Sequence, residues 1–356
     1  MELNASAWRG RRVLITGHTG FKGSWLALWL AELGAQVTGF SLPPPTRPSL
    51  FELAKVAGRV RHIEGDIRDD ASLKQACTLA EPEVVFHMAA QSLVRESYRN
   101  PVETFQTNLL GTVNVLEACR SLPFLRGVLV VTSDKCYENH EGGKAYSEGD
   151  PLGGRDPYSS SKACAEIASA AYRQSFFSGT AAPLIATARA GNVIGGGDYA
   201  ADRLIPDLVR AASKGERLVV RNPRAVRPWQ HVLEPLAGYL QLADRLCAND
   251  RPFAEGWNFG PDVGDARPVE WVLERALKLF GLPPSWDLHP DPAFPEAGML
   301  TLDSSKARNR LGWRPRLRID QALAWTMDWY GKCRDGANPE TLTLQQIRQY
   351  MASPVL

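Results

Sequence analysis

Residues Arg12 to Gly23 read Arg-Val-Leu-Ile-Thr-Gly-His-Thr-Gly-Phe-Lys-Gly, an apolar run followed at once by glycines at every third position. This stretch limits the fold more tightly than any other. Arg12–Thr16 has the make-up of a buried parallel strand, and a helical pattern from Ser24 to Leu33 follows the loop directly. A strand that enters a helix through Gly17, Gly20 and Gly23 must turn sharply, which gathers backbone N–H groups at the positive end of the helix. A pyrophosphate suits that point, so Gly17, Gly20, Phe21, Lys22 and Gly23 are expected to hold a dinucleotide. Glycines needed only for close packing are the alternative, and the motif alone does not exclude it.

The first half of the chain repeats this strand–helix alternation. Further strands are expected at Gln36–Phe40, Val60–Ile63, Val84–His87, Val128–Thr132 and Leu184–Ala188, with helices over 71–80, 101–121 and 158–177. Alternation of this kind implies right-handed crossovers and a doubly wound parallel α/β sheet of the Rossmann type. After about Gly191 the pattern changes to shorter elements separated by Gly- and Pro-rich pieces: Gly195–Gly197, Arg221–Pro228, Pro283-Pro284 and Asp287–Pro295. We expect a dinucleotide-binding domain over 1–190 and a smaller C-terminal substrate-binding lobe over 191–356, with crossovers between them allowed.

The second strand ends Phe40-Ser41-Leu42, without the acid that often holds an adenosine ribose. Arg47 lies beyond three prolines, so this position leaves NAD or NADP open. Asp66 and Ile67, after the third strand, stand where an adenine amino group would arrive. A capping role for Asp66 ahead of the next helix is the equal alternative.

Tyr158 and Lys162 open a helix behind Asp156-Pro157, an N-cap followed by a first-turn proline. Residues four apart share a helix face. A phenol titrating near 10 is a poor base, and bringing it to about 7 takes roughly 4 kcal/mol of preference for the phenolate. A neighbouring ammonium and a cationic nicotinamide ring would supply this, and the tyrosinate could then remove a hydroxyl proton. Ser133, at a strand end, is the expected hydrogen-bond partner of the same phenol.

The glycine loop, His87-Met88-Ala89-Ala90-Gln91, Asn108, Thr132-Ser133-Asp134-Lys135-Cys136-Tyr137-Glu138, Asp156–Lys162, Arg189–Asp198 and Arg227–His231 together resemble the extended short-chain dehydrogenase/reductase family, in its nucleotide-sugar dehydratase branch. The resemblance runs from residue 13 to about 235 and weakens beyond. It implies bound NAD, with Ala89 and Ala90 at the cofactor, and CDP-glucose or a related nucleotide sugar as substrate, the cytosine resting on the resemblance alone. It also implies a closed redox cycle: oxidation at C4, loss of water across C5 and C6, and hydride return to C6, in deoxysugar and surface polysaccharide (O-antigen) biosynthesis. Related dehydratases follow the strand-end Asp with Glu, whereas here Asp134 is followed by Lys135. Asp134 keeps the acid role toward the C6 hydroxyl. Lys135 would be the C5 base, although removing the proton of an ordinary lysine at neutral pH costs about 4 kcal/mol. Glu138 is the rival for that proton.

Arg189, Arg203, Arg221, Arg224 and Arg227 cluster in sequence, and guanidinium groups suit a diphosphate. By resemblance Asn192, Arg203 and Arg227 are its expected contacts. Trp229 could stack on a base or pack as core, and His18 and His231 have the same bland alternative. A net charge of +2 argues against nucleic acid or an anionic membrane as partner. Met1–Trp8 has no signal-peptide core, so a cytoplasmic location is expected. The six cysteines are scattered, without zinc spacing, and no metal is expected. The helices at 101–121 and 158–177 suit a dimer interface, and the family implies a homodimer or homotetramer. An epimerase on the same scaffold, or a sensor that binds without turnover, would lack a use for Asp134 or for the Tyr158–Lys162 pair respectively.

Overall fold

A computed structural model describes residues 4–140, 142–291 and 298–356. The expected Pro-rich piece Asp287–Pro295 and the N-terminal stretch Met1–Trp8 therefore lie partly outside the described residues.

Six strands form in the first half: β1 (Arg12–Thr16), β2 (Gln36–Ser41), β3 (Arg61–Glu64), β4 (Val84–His87), β5 (Gly127–Val131) and β6 (Leu184–Ala190). β1, β4, β5 and β6 are almost entirely buried, as their continuous runs of Val, Leu, Ile and Ala require in a sheet covered on both faces. The sheet has seven parallel strands. Gly256–Phe259 pairs with β6 at one edge, followed by β5, β4, β1, β2 and β3. Strand order reverses between β1 and β4, and ligands bind beyond the strand C-termini at such a point. Apolar clusters lie on both faces, the larger one running from Trp25 and Trp29 through Trp257 and Trp313 to Trp329.

Residues 191–356 serve two places. Gly256–Phe259 extends the first-half sheet, and the helix Leu233–Cys247 packs against β5 and β6. Short two-stranded pairings such as Leu218–Val220 with Trp286–Leu288 stand over the strand ends. The expected helix over 101–121 is broken: a π-helical turn at Gln106–Leu110 separates Pro101–Phe105 from Gly111–Cys119. The wider turn directs buried Asn108 sideways. Its Nδ2 donates to the Gln91 carbonyl (2.9 Å) and to Ser161 Oγ (2.8 Å), and its Oδ1 accepts from Gln91 N (2.9 Å). Such turns are frequent at functional sites. No helix among the described residues is long and apolar enough to cross a membrane, and no metal-holding group of His, Cys, Asp and Glu occurs among them.

Candidate active site

A cavity of about 1030 Å³ opens over the C-terminal ends of β1, β4, β5 and β6. Gly17, Gly20, Phe21, Lys22, Gly23, Asp66, Ile67, Ala89, Ala90, Ser133, Asp134, Lys135, Tyr158, Lys162, Asn192, Arg203 and Arg227 all line it. The chain thus brings the expected cofactor, proton-transfer and diphosphate residues to one place.

The glycine loop has the shape its spacing implies. Gly17 has φ +79°, and a Cβ there would lie 2.6 Å from the Ala89 nitrogen. A Cβ on Gly23 would lie 2.2 Å from the Gly17 carbonyl oxygen, so the helix Phe21–Glu32 can start this close to the loop only with glycine. Gly20 is the N-cap of that helix, and no side chain caps its first turn. The first-turn amides are therefore available to an anion from the cavity, which is the fit a pyrophosphate needs. Lys22 is pushed down to about 7, first by desolvation and then by the charges of Arg203 and Lys162, against the pull of Asp134.

At the end of the cavity after β3, Asp66 accepts from Arg68 N (2.9 Å) and Nε (2.8 Å). The N-cap of the helix Asp70–Ala80 is Asp69, whose carboxylate takes the amides of Ala71 and Ser72. Asp66 is thereby released from the capping alternative. Arg47 is highly exposed, near Glu52 at 3.8 Å, and outside the cavity lining. His18 pairs with His62 (Nε2 to Nδ1, 2.8 Å), and burial pushes it down to about 3.

Tyr158 and Lys162 lie on the helix Pro157–Ser175, capped by Asp156 through Ser159 N. Both are buried. Burial pushes Tyr158 up to about 12, while a hydrogen bond with Ser133 pulls it down. Burial pushes Lys162 down to about 8, while Glu166 pulls it up, and its ammonium donates to the Val131 carbonyl at 3.3 Å. The protein alone therefore holds the phenol protonated. An opposite charge placed beside it would favour the phenolate.

Ser133 Oγ caps the short turn Asp134–Cys136 by accepting from Lys135 N (3.2 Å), and it donates to Asp134 Oδ1 (3.0 Å). Asp134 is 1% exposed, and its Oδ2 is buried without a hydrogen-bond partner. A buried carboxyl oxygen left open at a cavity wall is costly unless a ligand completes it. Lys135 is half-buried and lines the same wall, whereas Glu138 is exposed beside His140 at 3.8 Å and does not line it.

The arginines divide. Arg203 reaches the cavity with one nitrogen on Asp198 (2.9 Å) and another on Ser92 (3.0 Å). Arg227 bonds the carbonyls of Val226 (3.1 Å) and Gly298 (3.3 Å), and Arg221 pairs with Asp202 at 2.6 Å. Arg189 is not at the cavity. It is buried behind the site against Glu166 and Tyr137. Arg224 is exposed and also outside the lining. Trp229 is buried and donates to the Arg267 carbonyl. His231 is buried between the edges of Trp25 and Trp325. Sequence reasoning passed over Glu166, although it stands one turn beyond Lys162 on the same helix face. It also passed over Arg95, which enters the lining from the segment after β4.

The family model for GDP-mannose 4,6 dehydratase matches residues 14–257. The CDP-glucose 4,6-dehydratase of Salmonella typhimurium is 46% identical over 355 residues, covering 99% of both chains. Among solved structures, MoeE5 in complex with UDP-glucose and NAD is similar at 27% identity and TM-score 0.76, covering 91% of this chain and 99% of its own. The UDP-glucose 4-epimerase of Thermus thermophilus, complexed with NAD, shares the fold at 24% identity and TM-score 0.78, covering 92% and 100%.

Proposed function

This chain belongs to the family that the GDP-mannose 4,6 dehydratase model describes, and on that premise we propose that it is an NAD-dependent hydro-lyase converting CDP-glucose to CDP-4-dehydro-6-deoxy-glucose. Identity of 46% across the whole of a CDP-glucose 4,6-dehydratase supports both the reaction and the cytidine nucleotide.

The observation that carries the reading is Asp134 Oδ2, buried and unpartnered in the same cavity as Tyr158 and Lys162. Epimerisation at C4 needs the tyrosine and the lysine but gives no work to that oxygen. Expulsion of a C6 hydroxyl does, because the leaving oxygen must collect a proton.

NAD, held by the loop Gly17–Gly23 with Ala89, Ala90, Asp66 and Ile67, supplies a hydride acceptor that can return what it takes. The remaining work falls to side chains. Tyr158 removes the proton of the sugar O4, helped by the Lys162 ammonium and the Ser133 hydroxyl. From about 12, the phenol needs about 7 kcal/mol of further preference for its anion to ionise at neutral pH. Lys135 takes the C5 proton, made acidic by the neighbouring ketone, while Asp134 protonates the departing C6 oxygen. Glu138, turned away from the cavity, has no route to C5 in this arrangement. Asn192, Arg203 and Arg227 hold the diphosphate, which must draw Arg203 from Asp198.

The same reading divides the work near residue 190, with cofactor before it and sugar nucleotide after it. It assigns the enzyme to the cytoplasm as a homodimer or homotetramer, in deoxysugar supply for surface polysaccharide such as O-antigen. Exposed Val102 on the helix before the π turn, Leu110 at the end of that turn and Ile167 on Pro157–Ser175 support that association. The test is incubation with CDP-, dTDP-, UDP- and GDP-activated hexoses. We expect a 4-keto-6-deoxy product from CDP-glucose with no net NADH. Interconversion of C4 epimers instead would establish the epimerase.

A further inference from the structure

We propose that buried Glu166 and Arg189 form a clamp that fixes the turn carrying Asp134 and Lys135 at both of its ends, so that Glu166, Arg189 and Tyr137 are positioning residues for the elimination half of the reaction. The proposal rests on the acid and base roles given above to Asp134 and Lys135.

The turn between β5 and Tyr137 has two anchors, and both lead to the same ion pair. On its entry side Thr132, the residue before Ser133, donates its hydroxyl to Glu166 Oε1 (2.5 Å). On its exit side Tyr137, two residues after Lys135, accepts at its hydroxyl from Arg189 Nη1 (2.7 Å). Arg189 Nη2 closes the link with Glu166 Oε2 at 2.7 Å. Thr187 Oγ1 donates to the same carboxylate oxygen at 2.6 Å, tying in β6. Tyr137 then donates to Asn258 Oδ1 (2.7 Å), and Asn258 Nδ2 donates to the carbonyls of Tyr146 (2.9 Å) and Asp303 (3.0 Å). Glu166, Arg189 and Tyr137 are all at most 5% exposed, and none of them lines the cavity.

A buried ion pair is a poor source of net stability, since desolvating both charges consumes most of the attraction. Location is what this one supplies. Directed hydrogen bonds, charge-assisted at Glu166 and Arg189 and neutral from Tyr137 to Asn258, link the residue after β5, β6, the edge strand Gly256–Phe259 and the helix that carries Tyr158 and Lys162. Glu166 also lies one turn beyond Lys162, and its charge favours the ammonium form of that lysine. The clamp therefore joins the two halves of the site, oxidation on the helix and elimination on the turn, in one fixed frame.

Removing either anchor while keeping the ion pair separates positioning from packing. Tyr137→Phe deletes the exit hydroxyl, and Thr132→Val deletes the entry hydroxyl at nearly constant volume. Wild-type enzyme is assayed first with CDP-glucose, and absence of the 4-keto-6-deoxy product there would defeat the functional reading, independently of the clamp. Each variant is then run with substrate carrying deuterium at C4 and, separately, at C5. We expect kcat to fall about ten- to a hundredfold with KM within about twofold. The kinetic isotope effect should move from C4 to C5 as elimination becomes limiting, and Thr132→Ser should recover most of the rate lost in Thr132→Val. Wild-type kcat in both variants overturns the proposal. So does a fall in kcat with the isotope effects unchanged, which marks general loosening rather than misplacement of the turn.

Discussion

Tyr158 and Lys162 sit one turn apart on a single helix, and burial drives their titrations away from their ordinary values in opposite directions, the phenol up to about 12 and the ammonium down to about 8. Neither is poised for proton abstraction in the protein alone. In the proposed reaction a cation beside the pair would favour the phenolate, so proton removal from the sugar is expected to depend on occupancy of the cofactor site. Tyr158→Phe is therefore expected to lower kcat by about three orders of magnitude. Binding of CDP-glucose by calorimetry should change by no more than a few fold.

Lys135→Gln tests the proposed C5 base apart from the rest of the site. The variant should still oxidise C4 but should not exchange the C5 hydrogen with deuterated solvent, read by mass spectrometry of recovered sugar. Undiminished exchange would remove Lys135 from that step and return attention to Glu138.

The glycines make distinct predictions. Gly17→Ala introduces a Cβ 2.6 Å from the Ala89 nitrogen at positive φ, so both melting temperature and NAD affinity should drop. Gly20→Ala meets only the Gly17 oxygen at 3.4 Å. That variant should melt within about 2 °C of wild type, as its contact is an ordinary one, yet bind NAD more weakly because the new methyl group stands at the mouth of the anion site. Equal losses in both variants would contradict this assignment.

Glu234 governs a pH effect away from the chemistry. It is buried, accepting from Arg316 N (3.1 Å), Leu317 N (2.8 Å) and the Tyr350 hydroxyl (2.8 Å), and burial still pushes it up to about 7. A carboxyl whose folded value lies above its unfolded value of 4.5 stabilises the fold fully below pH 4.5 and loses that contribution as pH rises through 7. Glu234→Gln should match wild type in urea melts at pH 5 and exceed it by up to about 3 kcal/mol at pH 8. A difference that stays constant across that range would refute the account.

Local patterns were readable in the sequence wherever the constraint was itself local. β1 and β4 form over the expected residues, centred on their apolar runs, and Gly17–Gly23 and Tyr158–Lys162 hold the spacing that their backbone demands. Elements set by distant partners were not readable. Gly256–Phe259 contains glycine and asparagine and becomes a strand only because β6 offers it an edge. The π turn at Gln106–Leu110 exists for Asn108 to reach Gln91 and Ser161. Arg189 is not distinguishable in sequence from the arginines that line the cavity, and Glu166 is what holds it behind the site. Composition also could not show that Asp198 and Asp202 already occupy two of the arginines at the cavity.

The central claim is that one hydride leaves C4 and returns to C6 of the same sugar while Tyr158, Asp134 and Lys135 move the protons. CDP-glucose carrying deuterium at C4 tests it in a single turnover, with the product analysed by NMR. The account predicts deuterium at C6 of a 4-keto-6-deoxy sugar, transferred within one molecule. Deuterium retained at C4, in either configuration, or lost to solvent would contradict it.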